Sequence, residues 1–406
     1  MAKKKRIKLN DQQLMLDASR VADIYHQMTI DLFDQVIDRV RERGTASLED
    51  NPYIWQLEKM SEMGLLNKDN IKLIARYSGV AEEQLRYVIE NEGYKVYKDT
   101  KTQLLESMGG GDFVTNNLIQ TMLANYVNQT TGDIDNLINT TLPKSVRKVY
   151  QDIVEEAVAK VVTGLMNPNK AISTTVMKWA EKGFYGFTDK GGKRWRADAY
   201  ARTIIKTTSW RVYREARKAP ADELGIDTFY YSMKPAAREM CAPLQHQIVT
   251  TGQARIEEGE KIFALDDYGY GKPGGCQGIN CGHTMTPFIP GANYKPDLPE
   301  HLANLTPEQA IENANVQSKQ RAIERSIRRS KELLHVANKL EDEELISKYK
   351  GQVKSKQAAM RSYLAQHPFL HRDYSRERYY SDPLREAETE IKLRKQQKKK
   401  AGDPTS

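Results

Sequence analysis

The chain has 406 residues, enough for two or three domains, and its 39% hydrophobic content supports compact cores while sitting low for a fully globular enzyme. The formal charge of +8 is carried unevenly, because residues 301–406 hold 22 Lys plus Arg against 15 Asp plus Glu. No apolar window is long enough for a membrane helix, and an odd count of three cysteines behind a basic leader argues against a secreted disulfide scaffold and for a reducing cytoplasm.

The leader carries Lys3, Lys4, Lys5 and Arg6. After it, Val21, Ile24, Tyr25, Met28, Leu32, Val36 and Val40 recur at three- and four-residue steps, which predicts an amphipathic helix over about 11–43, ended by Gly44. Shorter helices are expected at 53–63 and 68–77, with Ser78-Gly79 separating them from a helix that begins near Ala81 and has Glu82 and Glu83 at its dipole-favoured end. The run Met108-Gly-Gly-Gly111 is the clearest break in the amino half. It reads as a hinge or tight loop, since no Gly-Lys-Ser/Thr follows to make a phosphate cradle.

Val146, Val149, Ile153, Ala157 and Val161 mark another helix, expected to stop at Asn167-Pro168. A further helix holds Ile172, Val176 and Trp179 and ends at Gly183; after a turn at 189–192, helix returns over Ala197 to Lys218. Strands are predicted at 228–233, 247–250 and 261–264, ahead of a Gly-rich loop at 266–275. Thr306-Pro307-Glu308-Gln309 combines an N-cap hydroxyl, a first-turn proline and a capping-box glutamine. The arm it opens has a narrow seam (Ala322, Ile323, Ile327, Leu333, Leu334, Val336, Leu340) and reads as an exposed hairpin or docking helix.

The expected fold is mainly α with a small α+β module: a helical amino-terminal region, a central Cys/His-containing module and a helical carboxy-terminal arm with a basic tail. In numbers, the expectation is a basic leader at 1–10, helical regions at 11–108 and 112–190, the α+β module at 191–300, the arm at 301–365 and a flexible basic tail at 366–406.

All three cysteines and two of the seven histidines fall between 238 and 291, so clustering in space is the first hypothesis. Cys241, His246, Cys276, Cys281 and His283 are candidate zinc ligands, although the compact C-x2-C knuckle is absent; the competing reading is a turn-rich subdomain with packed, reduced thiols. Enzyme readings fail at a physical step. Thr207-Thr-Ser209 with Glu258-Gly-Glu260 suggests an ADP-ribosyltransferase, but the first stretch is helical where such a site needs a strand. An HNH-type nuclease built on His246, Asn280 and His283 lacks a completing Asp-His pair, and a Cys281–His283 nucleophile lacks an orienting group and an oxyanion hole. The leader and Lys392, Arg394, Lys395, Lys398, Lys399 and Lys400 are candidate contacts for DNA phosphate or an acidic protein surface.

Arg238 with Cys241-Ala-Pro-Leu-Gln245, then Gly278-Ile-Asn280-Cys-Gly-His283 and Pro287-Phe-Ile-Pro-Gly291, resembles the signature of the phage minor capsid protein 2 family, within the wider head-morphogenesis group. The resemblance extends through Trp179 to Gly183, Asp189 to Trp195, Tyr200-Ala-Arg202-Thr203 and Glu223 to Asp227, and covers most of residues 10–365; it departs at His246-Gln247 and at Gly282. It implies a non-enzymatic, low-copy virion component, assembled in the host cytoplasm, that associates with portal or inner capsid and aids DNA packaging or ejection. Arg202, Thr203, Arg238 and Asn280 are its motif residues, with a structural role for the arginines. The competing function is a zinc-stabilised nucleic-acid-binding protein.

Overall fold

The computed structural model describes residues 5–6, 13–42, 44–114, 116–188, 192, 194–279, 281–379 and 382–400. The chain begins with β1 (Lys5–Arg6), α1 (Gln13–Arg41), α2 (Ala46–Asp50), α3 (Pro52–Ser61) and α4 (Met63–Tyr87), which passes through a π-helical turn at Val88–Glu92 into α5 (Gly93–Ser107). After the triple-glycine loop come α6 (Leu118–Thr140), α7 (Leu142–Val162), α8 (Pro168–Lys182), the hairpin β2 (Tyr185–Thr188) and β3 (Arg194–Arg196), and α9 (Ala197–Glu223). The strands β4 (Thr228–Tyr231), β5 (Ile248–Thr250), β6 (Arg255–Glu257), β7 (Glu260–Ala264), β8 (Met285–Pro287) and β9 (Asn293–Tyr294) follow. The remainder is helical: α10 (Glu300–Ala303), α11 (Pro307–Leu340), α12 (Glu343–Gln366), α13 (Tyr374–Glu377) and α14 (Pro383–Lys400). The protein is therefore mainly α with a small α+β module, and among the described residues no helix is long and apolar enough to cross a membrane.

Several boundaries differ from the sequence pattern for identifiable reasons. Helix α4 runs through Ser78-Gly79, because Ile74, Tyr77 and Ala81 keep one face buried on both sides of a glycine that costs a helix only about 1 kcal/mol. Helix α7 stops early at Thr163-Gly164, where Gly164 takes φ +69. Asn167-Pro168 instead starts α8: Asn167 accepts the Lys170 N–H at 2.9 Å, and Pro168 fills the first turn, where its missing N–H is harmless. Helix α9 continues past Pro220 to Glu223, whose carboxylate is held by Lys101 at 2.6 Å. The chain from 383 to 400 forms a helix that buries Leu384, Ala387 and Ile391, where the sequence reads as a flexible tail.

The chain groups into two compact units, each drawn from three stretches of sequence, where a serial division was expected. One comprises residues 20–84, 131–204 and 321–406 and is dominated by helices. Within it the whole predicted stripe of α1, from Val21 to Val40, is buried. Ile327, Leu333, Val336 and Leu340 of α11 are buried too, and His335 bonds Asp34 of α1 at 2.9 Å. The seam is packed from Ile327 to Leu340, as a docking helix requires, while Ala322 is exposed and Ile323 half-buried.

The other unit comprises residues 1–19, 85–130 and 205–320 and carries the sheet. Its five strands run in the order β6-β7-β5-β4-β8, with β5 and β7 parallel and the remaining pairs antiparallel. The interior strand β4 is buried on both faces, which is why it reads as a continuous aromatic and β-branched run. Phe229 and Tyr231 join a core that includes Leu104, Ala221, Leu244 and Val249, whereas Tyr230 joins Ile248, Ile262 and Phe288. The Thr306 capping box forms as expected: Thr306 Oγ1 accepts the Gln309 N–H at 3.3 Å and Gln309 Oε1 accepts the Thr306 N–H at 2.9 Å.

Candidate cysteine–histidine site

Two loops of the sheet-bearing unit build the site. The first leaves β4 and turns at Arg238, whose carbonyl accepts the N–H groups of Cys241 and Ala242, both at 2.8 Å, so that Cys241 leads a short 3-10 turn. The second returns to β8 through a glycine clasp. A Cβ on Gly275 would stand 1.8 Å from the Gly269 carbonyl oxygen and one on Gly278 would stand 2.4 Å from that of Pro273, so both approaches require glycine. Gly278 then accepts the Cys281 N–H at 3.0 Å, and two residues later the extended chain presents His283 from the entry to β8.

The loops bring Cys241, Cys281 and His283 together, with one ligating atom from each lying within 4.8 Å of the other two. The sulfurs are 3.7 Å apart, and Cys281 Sγ is 3.5 Å from His283 Nδ1. All three residues are buried, at 1%, 3% and 4% exposure, which seals the cluster from any sizeable substrate. Nε2 of His283 donates to Gln245 Oε1 at 2.9 Å, and the same oxygen accepts the Lys234 N–H at 2.7 Å, so it acts as acceptor to both. The proton therefore sits on Nε2 and the Nδ1 lone pair faces the sulfurs.

Arg214 of α9 supports the second loop, its guanidinium donating to the Cys281 carbonyl at 2.6 Å and to the Gln277 carbonyl. Hydrogen bonding from Cys241 holds the Cys281 thiol below its ordinary range against the opposing effect of burial. The bond to Cys281, with burial, raises the Cys241 thiol.

The other candidate ligands lie elsewhere. His246 stacks edge-on with Tyr230, ring centroids 5.6 Å apart, and its Nδ1 lies 3.1 Å from the Tyr230 hydroxyl, while His283 stacks on Tyr231 at 5.2 Å. Adjacent strand residues face opposite ways, so the two histidines fall on opposite sides of the sheet. Cys276 is buried but outside the trio; its thiol donates to the Leu265 carbonyl at 3.6 Å, and burial pushes it up to about 12. Asn280 lies outside the described residues.

Of the motif residues, Arg238 reaches the Gly275 carbonyl at 3.4 Å, a loop clamp weaker than that of Arg214. Arg202 pairs with Asp23 of α1, a structural contact between helices, and Thr203 bonds back to the Ala199 carbonyl at 2.8 Å. Among the basic residues, Arg394 donates to Gln84 Oε1 at 2.7 Å and Lys395 pairs with Glu83 at 3.0 Å, while Glu388 feels the charge of Lys392. Lys3 and Lys4 lie outside the described residues, as do the side chains of Lys5, Arg6, Lys398, Lys399 and Lys400.

Sequence reasoning missed Arg214 and the orienting role of Gln245. Arg214 had a faint signal, since Trp210, Tyr213, Arg214 and Arg217 share one helical face and Arg217 is buried at 3%.

Comparison with known proteins bears on the whole chain, not on the cluster alone. The profile of the family described as phage minor capsid protein 2 matches residues 9–365. The chain belongs to that family. It is 29% identical over 371 residues, 88% of its own length and 98% of the relative's, to a structural protein of Lactococcus phage LL-H. Over 118 residues, 29% of this chain and 92% of the relative, it is 31% identical to a structural protein of Lactococcus phage mv4. No solved structure matches it. As a member of a phage minor capsid family, the chain has its Cys/His cluster inside the matched region, so the cluster is part of the family portion and not an appendage.

Proposed function

We propose that this protein is a minor structural component of a tailed-phage head that joins the portal or the inner capsid wall during assembly and aids DNA packaging or ejection. The observation that carries the reading is the near end-to-end correspondence, covering 88% of this chain and 98% of a protein described as structural. Its local chemistry is consistent with assembly. The thiols and imidazole that would serve a nucleophile or nuclease are sealed in a core, and a reaction at Cys281 has no route to a macromolecular substrate.

The nucleic-acid-binding alternative has weaker support, since Arg394 and Lys395 are already engaged by protein side chains. The test is quantitative mass spectrometry of purified particles, comparing DNA-filled heads, empty heads and portal-containing subassemblies. Recovery in fixed low copy with portal is the expected result. Absence from every particle would overturn the proposal.

A further inference from the structure

We propose that Cys241, Cys281 and His283 bind one zinc ion, which staples the loop after β4 to the loop before β8. The first argument is metric. Zinc bonds of about 2.3 Å to sulfur and about 2.0–2.1 Å to nitrogen, set at tetrahedral angles, separate two sulfurs by about 3.8 Å and a sulfur from a nitrogen by about 3.6 Å. The observed 3.7 Å and 3.5 Å are those edges.

The second argument is electronic. His283 is fixed with its proton on Nε2 by Gln245, so its Nδ1 lone pair lies 3.5 Å from Cys281 Sγ, and the Cys241 sulfur belongs to the same buried cluster. Lone pairs so placed require positive charge among them. A proton bridges two donors, whereas a cation satisfies all three, and soft thiolates with an imidazole favour zinc over hard divalent ions. The Gln245 bond is the outer-shell contact that zinc-bound histidines characteristically make, and Arg214 secures the backbone that carries Cys281. Three protein donors leave a fourth position for a small exogenous ligand. Cys276 and His246, which spacing alone cannot separate from the others, take no part.

The staple suits its setting. The sheet's strands are at most five residues long, and the two loops it joins are forty residues apart in sequence, so a metal bond adds a constraint the short ladders lack. The experiment uses the untagged full-length protein, purified under reduction with trace zinc, with metal content read by elemental analysis and cobalt substitution read by its thiolate charge-transfer absorption. One zinc per chain is expected in the wild type, in Cys276→Ser and in His246→Ala, falling to none in Cys281→Ser and His283→Ala. Gln245→Ala should bind about 10–100-fold more weakly. Metal-free wild type with three free thiols or a Cys241–Cys281 disulfide overturns the proposal, as does loss of zinc from folded Cys276→Ser. Because wild type and Cys276→Ser decide the matter, a trio variant that fails to fold leaves the test intact.

Discussion

The two units of this protein are held together by different physical means. In the sheet-bearing unit, short strands are connected by loops whose shape depends on backbone contact and buried sulfur: the Gly269–Gly275 approach, the Arg214 clamp and the Cys241–Cys281–His283 cluster. In the helical unit, long helices carry the apolar burial and polar pairs between helices fix their register, with Asp198 at 2.9 Å from His26 and Lys339 at 2.9 Å from Asp38. One unit should respond to steric change and thiol chemistry, the other to acid.

The largest expected effect tests the first half of that contrast. Gly275→Ala forces a Cβ against a backbone carbonyl at 1.8 Å, and a backbone cannot swing away as a side chain can. The substitution should cost about 4 kcal/mol in chemical denaturation, beyond the usual range of about 1–3 kcal/mol for overpacking. A loss below about 1 kcal/mol would show that the loop is not clasped there.

Asp198→Asn probes the helical unit and should cost about 3 kcal/mol, since it removes the nearer carboxylate from His26 and Arg196 and leaves them Glu332, at 3.5 Å and 3.7 Å. Burial pushes this carboxyl up, but the Arg196 charge and the His26 bond outweigh it and hold the group well below its ordinary 3.8. A depressed carboxylate stabilises the fold above its unfolded pKa, and that contribution is lost as pH falls through the folded one. The gap between wild type and variant should therefore be constant above about pH 5 and shrink progressively below about pH 4. A gap that does not narrow in acid would remove Asp198 from the list of acid-sensitive groups.

Much of this contrast is visible in the sequence, and the parts that are not share a cause. The α1 stripe, the Thr306 capping box and β4 are local patterns whose periodicity survives folding intact. Gly79 misreads as a break, and α9 outruns its expected end at Lys218, because tertiary contacts outweigh a local penalty. The cysteine cluster is legible as a cluster, but its membership is not: whether His246 or His283 joins depends on which face of a strand each follows. Arg214, more than sixty residues upstream of Cys281, carries only the faint signal of the helical face it shares with Trp210, Tyr213 and Arg217.

Charge is not confined to the helical unit, and Lys101→Met measures how much it contributes beside the sheet. Lys101 Nζ meets Glu223 at 2.6 Å and the Val114 carbonyl at 2.7 Å, and the lysine is nearly buried while the glutamate keeps partial contact with water. Burial opposes both charges, yet bonding between the partners raises Lys101 above 10.5 and lowers Glu223 below 4.5. With one partner partly solvated, the expected loss is about 1–2 kcal/mol. The raised lysine contributes below its unfolded pKa and the depressed glutamate above its own, so the loss should be flat from about pH 5 to 10 and diminish outside that window. A stability gap that peaks within the window would instead indicate a further titrating partner.

The smallest effect separates surface charge from function. Lys395 and Glu83 are 3.0 Å apart with side chains 61% and 44% exposed, so the pair is screened by water and Lys395→Ala should change stability by less than about 0.5 kcal/mol. The informative readout is the salt dependence of DNA binding. A lysine that neutralises a phosphate releases counterions, and removing it lowers the slope of log affinity against log salt by about one. An unchanged slope is expected if Lys395 serves its contact with Glu83, which places the helical unit's basic helix in the protein's own packing; a slope lower by about one would assign this residue to phosphate and revive the nucleic-acid-binding reading for the end of the chain.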